Sequence, residues 1–478
     1  MVRRIERLKH LRILVRPAYG VLLAVVSVGG ALAQAGDSAI PQVCSACIRK
    51  NLDYLAGPAL HGRGSGTVDE HRAAQFIAAK LKSYGLAPAA SDRDYIQAAT
   101  IKSRNTTASV MLSFEGAKGT PWVEGKELAV FRITRADTTA ALQKLDLNDP
   151  QVTPASVKPG SAVLLKLKPD TTPQNIESVI GGYITTKASV ILLPEPSGGE
   201  ALFQQLAQQG PHTDRQIGEE PASPDGLILS TDAAQQLWKQ EDGTQIKLHV
   251  AMSPWKVAHA WNVLARLEGS KESKQIIMLS AHLDHLGIKD GKTYPGADDD
   301  ASGTVAVMEL ARALAKRERP QRTIVFALWG SEEAGLVGAR YFLKHPTFEL
   351  HDLIANLEFE MIGRADSKVK PNELWLTGWE RSNLGPELAA HGAQLVGDPH
   401  PGENFFQRSD NFALARDGIV AQTVSSYGLH KDYHQPTDTL TRIDWQHLDS
   451  AIGSMIAPIM WLANSDFTPQ WNEGGKPQ

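Results

Sequence analysis

The stretch Ile276-Ile277-Met278-Leu279-Ser280-Ala281-His282-Leu283-Asp284 is an apolar run that ends on an imidazole and a carboxylate. It continues through Gly296-Ala297-Asp298-Asp299-Asp300-Ala301-Ser302-Gly303 into a segment with helical spacing over 303–315. A second apolar run, Thr323-Ile324-Val325-Phe326-Ala327-Leu328-Trp329-Gly330, then delivers Ser331-Glu332-Glu333. Short continuous apolar runs bounded by turn residues read as buried strands. Each run places acids or imidazoles at its C-terminal end, which is where sites form in open α/β sheets.

The pattern extends on both sides. Upstream, 260–267 is a further strand with a turn at Gly269. Downstream, 334–343 reads as a helix, 353–357 as a strand leading into Glu358-Phe359-Glu360-Met361-Ile362-Gly363, 373–376 as a strand, 386–391 as a helix and 418–424 as a late strand. The loop after that last strand carries Asp432-Tyr433-His434. Strands alternating with helices predict an α/β fold with a mostly parallel mixed sheet flanked by helices.

Nearer the N-terminus, 44–55 and 68–84 have helical spacing, with Gly57-Pro58 and Gly85 as stops. Between them lies Gly62-Arg63-Gly64-Ser65-Gly66-Thr67. No strand precedes this glycine-rich stretch and no Gly-Lys-Ser/Thr follows, so it reads as a tight turn and not as a phosphate loop. From about 101 to 255 the texture changes to short β-rich runs with helical stretches and proline-bearing loops, read as a smaller inserted domain. Within it 198–210 reads as a short helix and 211–225 as a loop.

The chain has 478 residues and a net charge of -4, enough for two folded units and with no reason to expect nucleic acid. Arg3, Arg4, Arg7, Lys9, Arg12 and Arg16 precede an apolar core over 18–28 and small residues at 31–35, the layout of an export signal. The core is shorter than the ~20 residues of a membrane span. The expected organisation is a signal peptide at 1–33, two segments of the main α/β domain at 34–100 and 256–478, and the insert at 101–255. The mature chain is expected in the periplasm or outside the cell, with no stable membrane association. Cys44 and Cys47 are the two cysteines, and in an oxidising compartment a local disulfide between them is the expected state. A zinc ribbon would need a second pair.

The polar groups that follow apolar strands are His282, Asp284, Asp299, Glu332, Glu333, Glu360 and His434. Several carboxylates held together repel one another, and cations resolve the repulsion. Two imidazoles among carboxylates suit zinc. Six residues stay open: His285 either lines the cleft or is satisfied by hydrogen bonds, Ser409-Asp410 either meets substrate or caps a helix, and Glu358 is a rival ligand to Glu360. Tyr427 and Tyr433 either stabilise an oxyanion or simply pack.

His282-Leu283-Asp284, the Gly296–Gly303 segment, Glu332-Glu333-Ala334-Gly335-Leu336, Glu360-Met361-Ile362-Gly363-Arg364 and Asp432-Tyr433-His434 follow in an order that resembles the co-catalytic zinc peptidases. That family includes secreted aminopeptidases, glutamate carboxypeptidase and transferrin receptor. The segment at 53–85 is similar to the family's N-terminal helices, and the insert is similar in placement to its protease-associated domain. The resemblance implies two zinc ions per chain and peptide substrates. It implies that Asp299 bridges the metals, that His282 and Glu360 complete one site, and that Glu333 and His434 complete the other. Glu332 would be the general base, Asp284 would orient His282, and the Asp299–Asp300 bond would be cis. Many such aminopeptidases have aspartate where this chain has Glu360. Aminopeptidase activity is the expected function. The alternatives are a glutamate-type carboxypeptidase using Arg364, Arg381 or Arg408, a glutaminyl cyclase, and a non-enzymatic receptor that has lost its ligands or base.

Overall fold

The run that starts at Thr323 is mostly β-branched or aromatic, residue types that pack well on a pleated surface. In the computed structural model, which describes residues 43–477 apart from 117–118, 174 and 219–222, it is a strand buried at every position, Arg322–Trp329. The long strands of the large sheet are numbered along the chain: β1 Ile96–Asn105, β2 Thr213–Ile217, β3 Lys256–Leu267, β4 Glu272–His282, β5 Arg322–Trp329, β6 Leu353–Phe359, β7 Leu374–Leu376, β8 Leu395–Gly397 and β9 Ala421–Ser425. Their spatial order is β8-β7-β9-β6-β4-β5-β3-β1-β2. The four neighbours β9, β6, β4 and β5 are parallel. β3, β1 and β2 continue the sheet antiparallel, and β7 runs antiparallel to β9.

The helices on this sheet are α1 Ser45–Leu55, α2 Val68–Ser83, α3 Gly303–Ala315, α4 Val337–Lys344, α5 Leu384–Ala390, α6 Asn411–Arg416 and α7 Trp445–Asn464. Side chains alternate across a strand. Ile277, Leu279 and Ala281 of β4 therefore join a core with α1, α2, α3 and α7. Ile276 and Met278 face the opposite core, with Phe342 of α4 and Leu414 of α6. Cover on both faces explains why the parallel strands read as continuous apolar runs. Each fully buried Leu or Ile there contributes about 1.5–3 kcal/mol. α2 starts at Thr67, whose hydroxyl accepts from the amides of Asp69 and Glu70, satisfying two otherwise orphaned donors.

A second, eight-stranded sheet spans residues 111–249 and has its own core. One segment there departs from expectation. Residues 211–225, read as a loop, contain β2, which pairs antiparallel with β1 at the edge of the large sheet. Its one apolar residue, Ile217, leaves no hydrophobic period to detect. The strand is held instead by backbone pairing and by Asp214, buried against Arg104 at 2.8 Å. Cys44 and Cys47 are disulfide-bonded at the start of α1. The export signal expected at 1–33 lies outside the described residues. Among the described residues no helix is long and apolar enough to cross a membrane.

Candidate metal centre

The four parallel strands end side by side, and each end contributes to one cleft. β4 ends on His282. Glu332 and Glu333 follow β5, Glu360 follows β6, and the loop after β9 brings in His434. Asp299 comes from the turn between β4 and α3, at a cis Asp299–Asp300 bond. Ser331, Met361 and His434 all have left-handed backbone, each with φ 53°, a conformation non-glycine residues adopt mainly where surrounding structure enforces it.

His282 Nε2 lies 3.2 Å from Asp299 Oδ1. His434 Nε2 lies 3.2 Å from Asp299 Oδ2 and 3.1 Å from Glu333 Oε1. His285 Nδ1 lies 2.9 Å from Glu333 Oε1 and 3.8 Å from Asp299 Oδ2. Donor atoms of His282, Asp299 and Glu360 fall within 4.8 Å of one another, as do those of His285, Asp299 and Glu333. Asp299 belongs to both sets. Both ring nitrogens of His282 and of His285, Asp299 Oδ2 and Glu333 Oε1 are buried with no hydrogen-bond partner. Buried polar atoms are normally paired. Lone-pair donors that converge without hydrogen-bond geometry fit metal ions, and nitrogen with carboxylate oxygen is a donor set zinc accepts.

The three consecutive aspartates do three jobs. Asp299 faces the cleft. Asp298 Oδ1 accepts the amide of Gly363 at 2.7 Å, and its Oδ2 meets His430 Nε2 at 2.8 Å. Asp300 accepts the amides of Met361 at 3.0 Å and His282 at 3.2 Å. The flanking pair thus ties the turn to the segments carrying Glu360 and His282. Gly303 lets α3 start hard against β6: a Cβ there would lie 2.0 Å from the Phe359 carbonyl oxygen.

Asp284 has a different emphasis from the one expected. Its Oδ1 is 3.7 Å from His282 Nδ1, beyond hydrogen-bond length. The same oxygen accepts the backbone amide of Glu332 at 2.9 Å, and Oδ2 accepts the hydroxyl of Ser65 at 2.5 Å. Asp284 therefore holds the residue expected to act as base.

The glycine-rich stretch proves to be part of the support. Arg63, fully buried, donates to the carbonyls of Leu283, Leu55, Pro295 and Gly296 at 2.7–3.0 Å. It clamps both loops that carry the cleft's first residues. Gly62 has φ 76°, and a Cβ there would lie 2.0 Å from the Tyr294 carbonyl oxygen. Glu70, buried at the start of α2, accepts the hydroxyl of Ser331 at 2.9 Å.

Burial pushes the Glu332 carboxyl well above the usual range; Asp410, Glu360 and Glu333 add to this and His282 opposes it. Burial and Asp299 work to raise Glu333, but His285 and His434 outweigh them and hold it at about 2. Burial disfavours charge on His434, yet Asp299 and Glu333 lift it to about 9. Positive charge is thus in demand around Asp299 and Glu333.

His282, Asp299, Glu333, Glu360 and His434 are all brought together, with Glu332 beside them in the cleft. Glu358 is in neither donor set; it accepts from Ser409 at 3.2 Å. Asp410 makes no side-chain cap to α6, and both its oxygens are buried without a hydrogen-bond partner. Tyr433 stacks on His434 at 4.0 Å and receives a 3.4 Å contact from Arg408 Nη2. Sequence reasoning missed Arg63, Ser65, Glu70, His430 and Asp438, and left His285 undecided; their partners lie far along the chain.

Residues 262–459 match the Peptidase family M28 profile. A probable zinc metalloprotease of Leptosphaeria maculans is 48% identical over 84 residues, 17% of this chain and 19% of that protein. Leucine aminopeptidase 2 of Trichophyton rubrum is 28% identical over 243 residues, 43% of this chain and 47% of that protein. The chain thus spans less than half the length of these curated relatives. An aminopeptidase structure from Aneurinibacillus sp. strain AM-1 aligns over 89% of this chain and 96% of its own, at 19% identity and a TM-score of 0.48. The segment that supplies His282, Asp299, Glu332, Glu333, Glu360 and His434 lies within the residues that match Peptidase family M28.

Proposed function

We propose that this protein is an exported zinc-dependent exopeptidase, an aminopeptidase that removes N-terminal residues from peptides and uses two zinc ions per chain. The observation that carries the proposal is that two donor sets share Asp299 while Glu332 stands in the same cleft outside both. The names of the relatives, a zinc metalloprotease and a leucine aminopeptidase, support it. His282 and Glu360 would hold one ion and Glu333 and His434 the other, with Asp299 between them. When bound, the ions polarise the scissile carbonyl and lower the pKa of a water.

Glu332 would take the proton from the attacking water and return it to the leaving amine. Its amide is fixed by Asp284, so the carboxylate is presented in one place. Burial raises its proton affinity, which suits a group that must first take and then give a proton. Tyr433 stays protonated, raised above its ordinary value by burial and by Asp299 and Glu360, and it lines the cleft together with Glu332. It serves as a hydrogen-bond donor to the developing oxyanion. The acidic cleft suits a substrate's free amine.

The test is a panel of aminoacyl amides and C-terminal dipeptides, with zinc-loaded and chelated enzyme, alongside Glu332→Gln. Aminoacyl substrates should be cleaved, chelation should stop cleavage, and metal counting should return two ions. Glu332→Gln should keep both ions and lose roughly 100-fold or more in kcat. Bound zinc with no cleavage of any peptide would refute the hydrolase reading. Cleavage confined to bonds beside a free C-terminal carboxylate would replace the aminopeptidase with the glutamate-type carboxypeptidase.

A further inference from the structure

The loop that carries Glu332 and Glu333 leaves the end of β5 at Gly330 and enters α4 at Val337 and Gly338. Three of its residues have left-handed backbone: Ser331 (φ 53°), Gly335 (φ 103°) and Leu336 (φ 56°). Two of these are not glycine, and that conformation persists only where surrounding structure enforces it. The enforcement is at the neck of the loop, where its two ends meet. The amide of Gly338 donates to the carbonyl of Gly330 at 2.9 Å. The return connection runs through a side chain of β3. Asn262 Oδ1 accepts the amide of Gly330 at 3.1 Å, and Asn262 Nδ2 donates to the carbonyl of Gly338 at 2.9 Å. The carboxamide of Asn262 thus does the work of a peptide unit inserted between the two ends of the loop.

The second hydrogen of Asn262 Nδ2 is also used. It goes to Gln97 Oε1 at 2.9 Å, from the residue directly opposite on β1. Gln97 Nε2 in turn donates to the carbonyl of His345 at 2.8 Å, at the far end of α4. The pair therefore holds α4 at both ends. Both glycines of the neck are required by this clasp. A Cβ on Gly338 would lie 2.1 Å from Asn262 Oδ1 and 2.6 Å from the Gly330 carbonyl oxygen; one on Gly330 would lie 2.5 Å from Glu70 Oε1 and 2.7 Å from the Trp261 nitrogen. Asn262 is fully buried, in a strand whose neighbouring Ala260, Val263 and Leu264 are buried and apolar. A polar group there is costly unless bonded, and a branched aliphatic side chain would suit the strand as well. Satisfied buried polar networks fix one arrangement of the groups they join, and here those groups are the two ends of the loop that bears Glu332.

We propose that Asn262 is a positioning residue for the reaction: by closing the neck of this loop it fixes where the Glu332 carboxylate stands. It rests on the reading of the protein as a peptidase with Glu332 as base. Asn262 does not line the cleft, so its effect on the reaction passes through the loop alone. Aspartate at this position keeps the acceptor for Gly330 but turns an oxygen toward the Gly338 carbonyl, and leucine removes both connections. A misplacement of about 1 Å at a reacting group, caused from a distance, can cost about 100-fold in rate.

The experiment measures leucine amide hydrolysis and bound zinc for Asn262→Asp and Asn262→Leu in the zinc-loaded full chain, each also combined with Glu332→Gln. kcat should fall by about 30- to 100-fold with KM within about twofold and both zinc ions retained. In the Glu332→Gln background the same substitutions should cost less than about threefold, because the group they misplace is already gone. Should Asn262→Leu fail to fold, the nearly isosteric Asn262→Asp decides. Wild-type kcat in Asn262→Asp overturns the proposal. An equal fold-loss with and without Glu332 also overturns it, since the residue then acts on the fold at large. Loss of zinc in step with activity overturns it too, making Asn262 a support of Glu333. No cleavage of any substrate by the wild-type enzyme refutes the peptidase reading, and this inference with it.

Discussion

Asp438 Oδ2 accepts the backbone amides of both Asp298 and Asp299, each at 3.1 Å. Asp438 follows His434 by four residues, so one carboxylate ties the loop that carries an imidazole donor to the turn that carries the shared carboxylate. Asp438→Ala should leave the fold in place and lower zinc affinity by about 10- to 100-fold, the usual cost of losing a residue that orients ligands. Asp438→Asn, which keeps one acceptor oxygen, should fall between. Competition with a chromophoric chelator measures both, and an Ala variant with wild-type affinity would show that the tether is idle.

His285 and His434 both face Glu333, at 2.9 and 3.1 Å. They are not equivalent, because His434 Nε2 is also 3.2 Å from Asp299 while His285 Nδ1 is 3.8 Å from it. His434→Ala should therefore lose one of two bound ions. His285→Ala should keep both but bind the second about 10-fold more weakly, through a less well oriented Glu333. Metal counting after gel filtration decides. Loss of an ion from His285→Ala with full occupancy in His434→Ala would exchange the two assignments.

The Arg63 clamp predicts a stability effect far from the chemistry. Its replacement strands up to four backbone carbonyls in a buried place, and each unsatisfied group costs about 1–3 kcal/mol. Arg63→Ala should destabilise by about 3 kcal/mol or more. Arg63→Lys should not recover it, because an ammonium lacks the planar fork that reaches separate carbonyls. Calorimetric melting checks this, and a Lys variant melting with the wild type would contradict it.

Asp225 links stability to pH. Burial lifts its carboxyl from 3.8 to about 6 in the folded chain, against hydrogen bonds from Thr134. The folded state holds a proton that the unfolded state has released, so stability is greatest below about pH 4 and falls as pH rises through about 6. At 1.36 kcal/mol per pH unit the whole effect is about 3 kcal/mol at most. Asp225→Asn keeps the oxygen that accepts from Thr134 and removes the charge. Its melting temperature should exceed that of the wild type by more at pH 7 than at pH 4; a pH-independent difference would rule the linkage out.

The candidate metal donors were legible because each sits at or just beyond a run whose composition already marked a strand. β4, β5 and β6 carry apolar runs broken inside by Ser280, Asn356 and Glu358, and His282, Glu332, Glu333 and Glu360 punctuate their ends. His434, beyond β9, was placed by its motif. The parallel centre was legible for the same reason. The supports were not. Ser65 reaches Asp284 across 219 positions, Glu70 reaches Ser331 across 261, and Asp438 reaches Asp299 across 139. Nothing local to a serine, a helical glutamate or a loop aspartate signals such a partner. Arg63 was hidden by its glycine neighbours, which mark a turn but not what the turn grips. β2 escaped notice because its order comes from the backbone of β1 and from an arginine 110 residues away.

That edge strand has a practical consequence for anyone who re-engineers the molecule. Residues 213–217 lie by position within the expected insert and belong by hydrogen bonding to the large sheet. A truncation that removes 101–255 as a cassette would take away β2 and half of β1, leaving β3 with unpaired amides and carbonyls along its outer side. Bare edges of this kind recruit other chains. A graft that exchanges accessory modules must therefore carry its own edge-covering strand, or the recipient will be recovered as aggregate whatever the quality of its metal site.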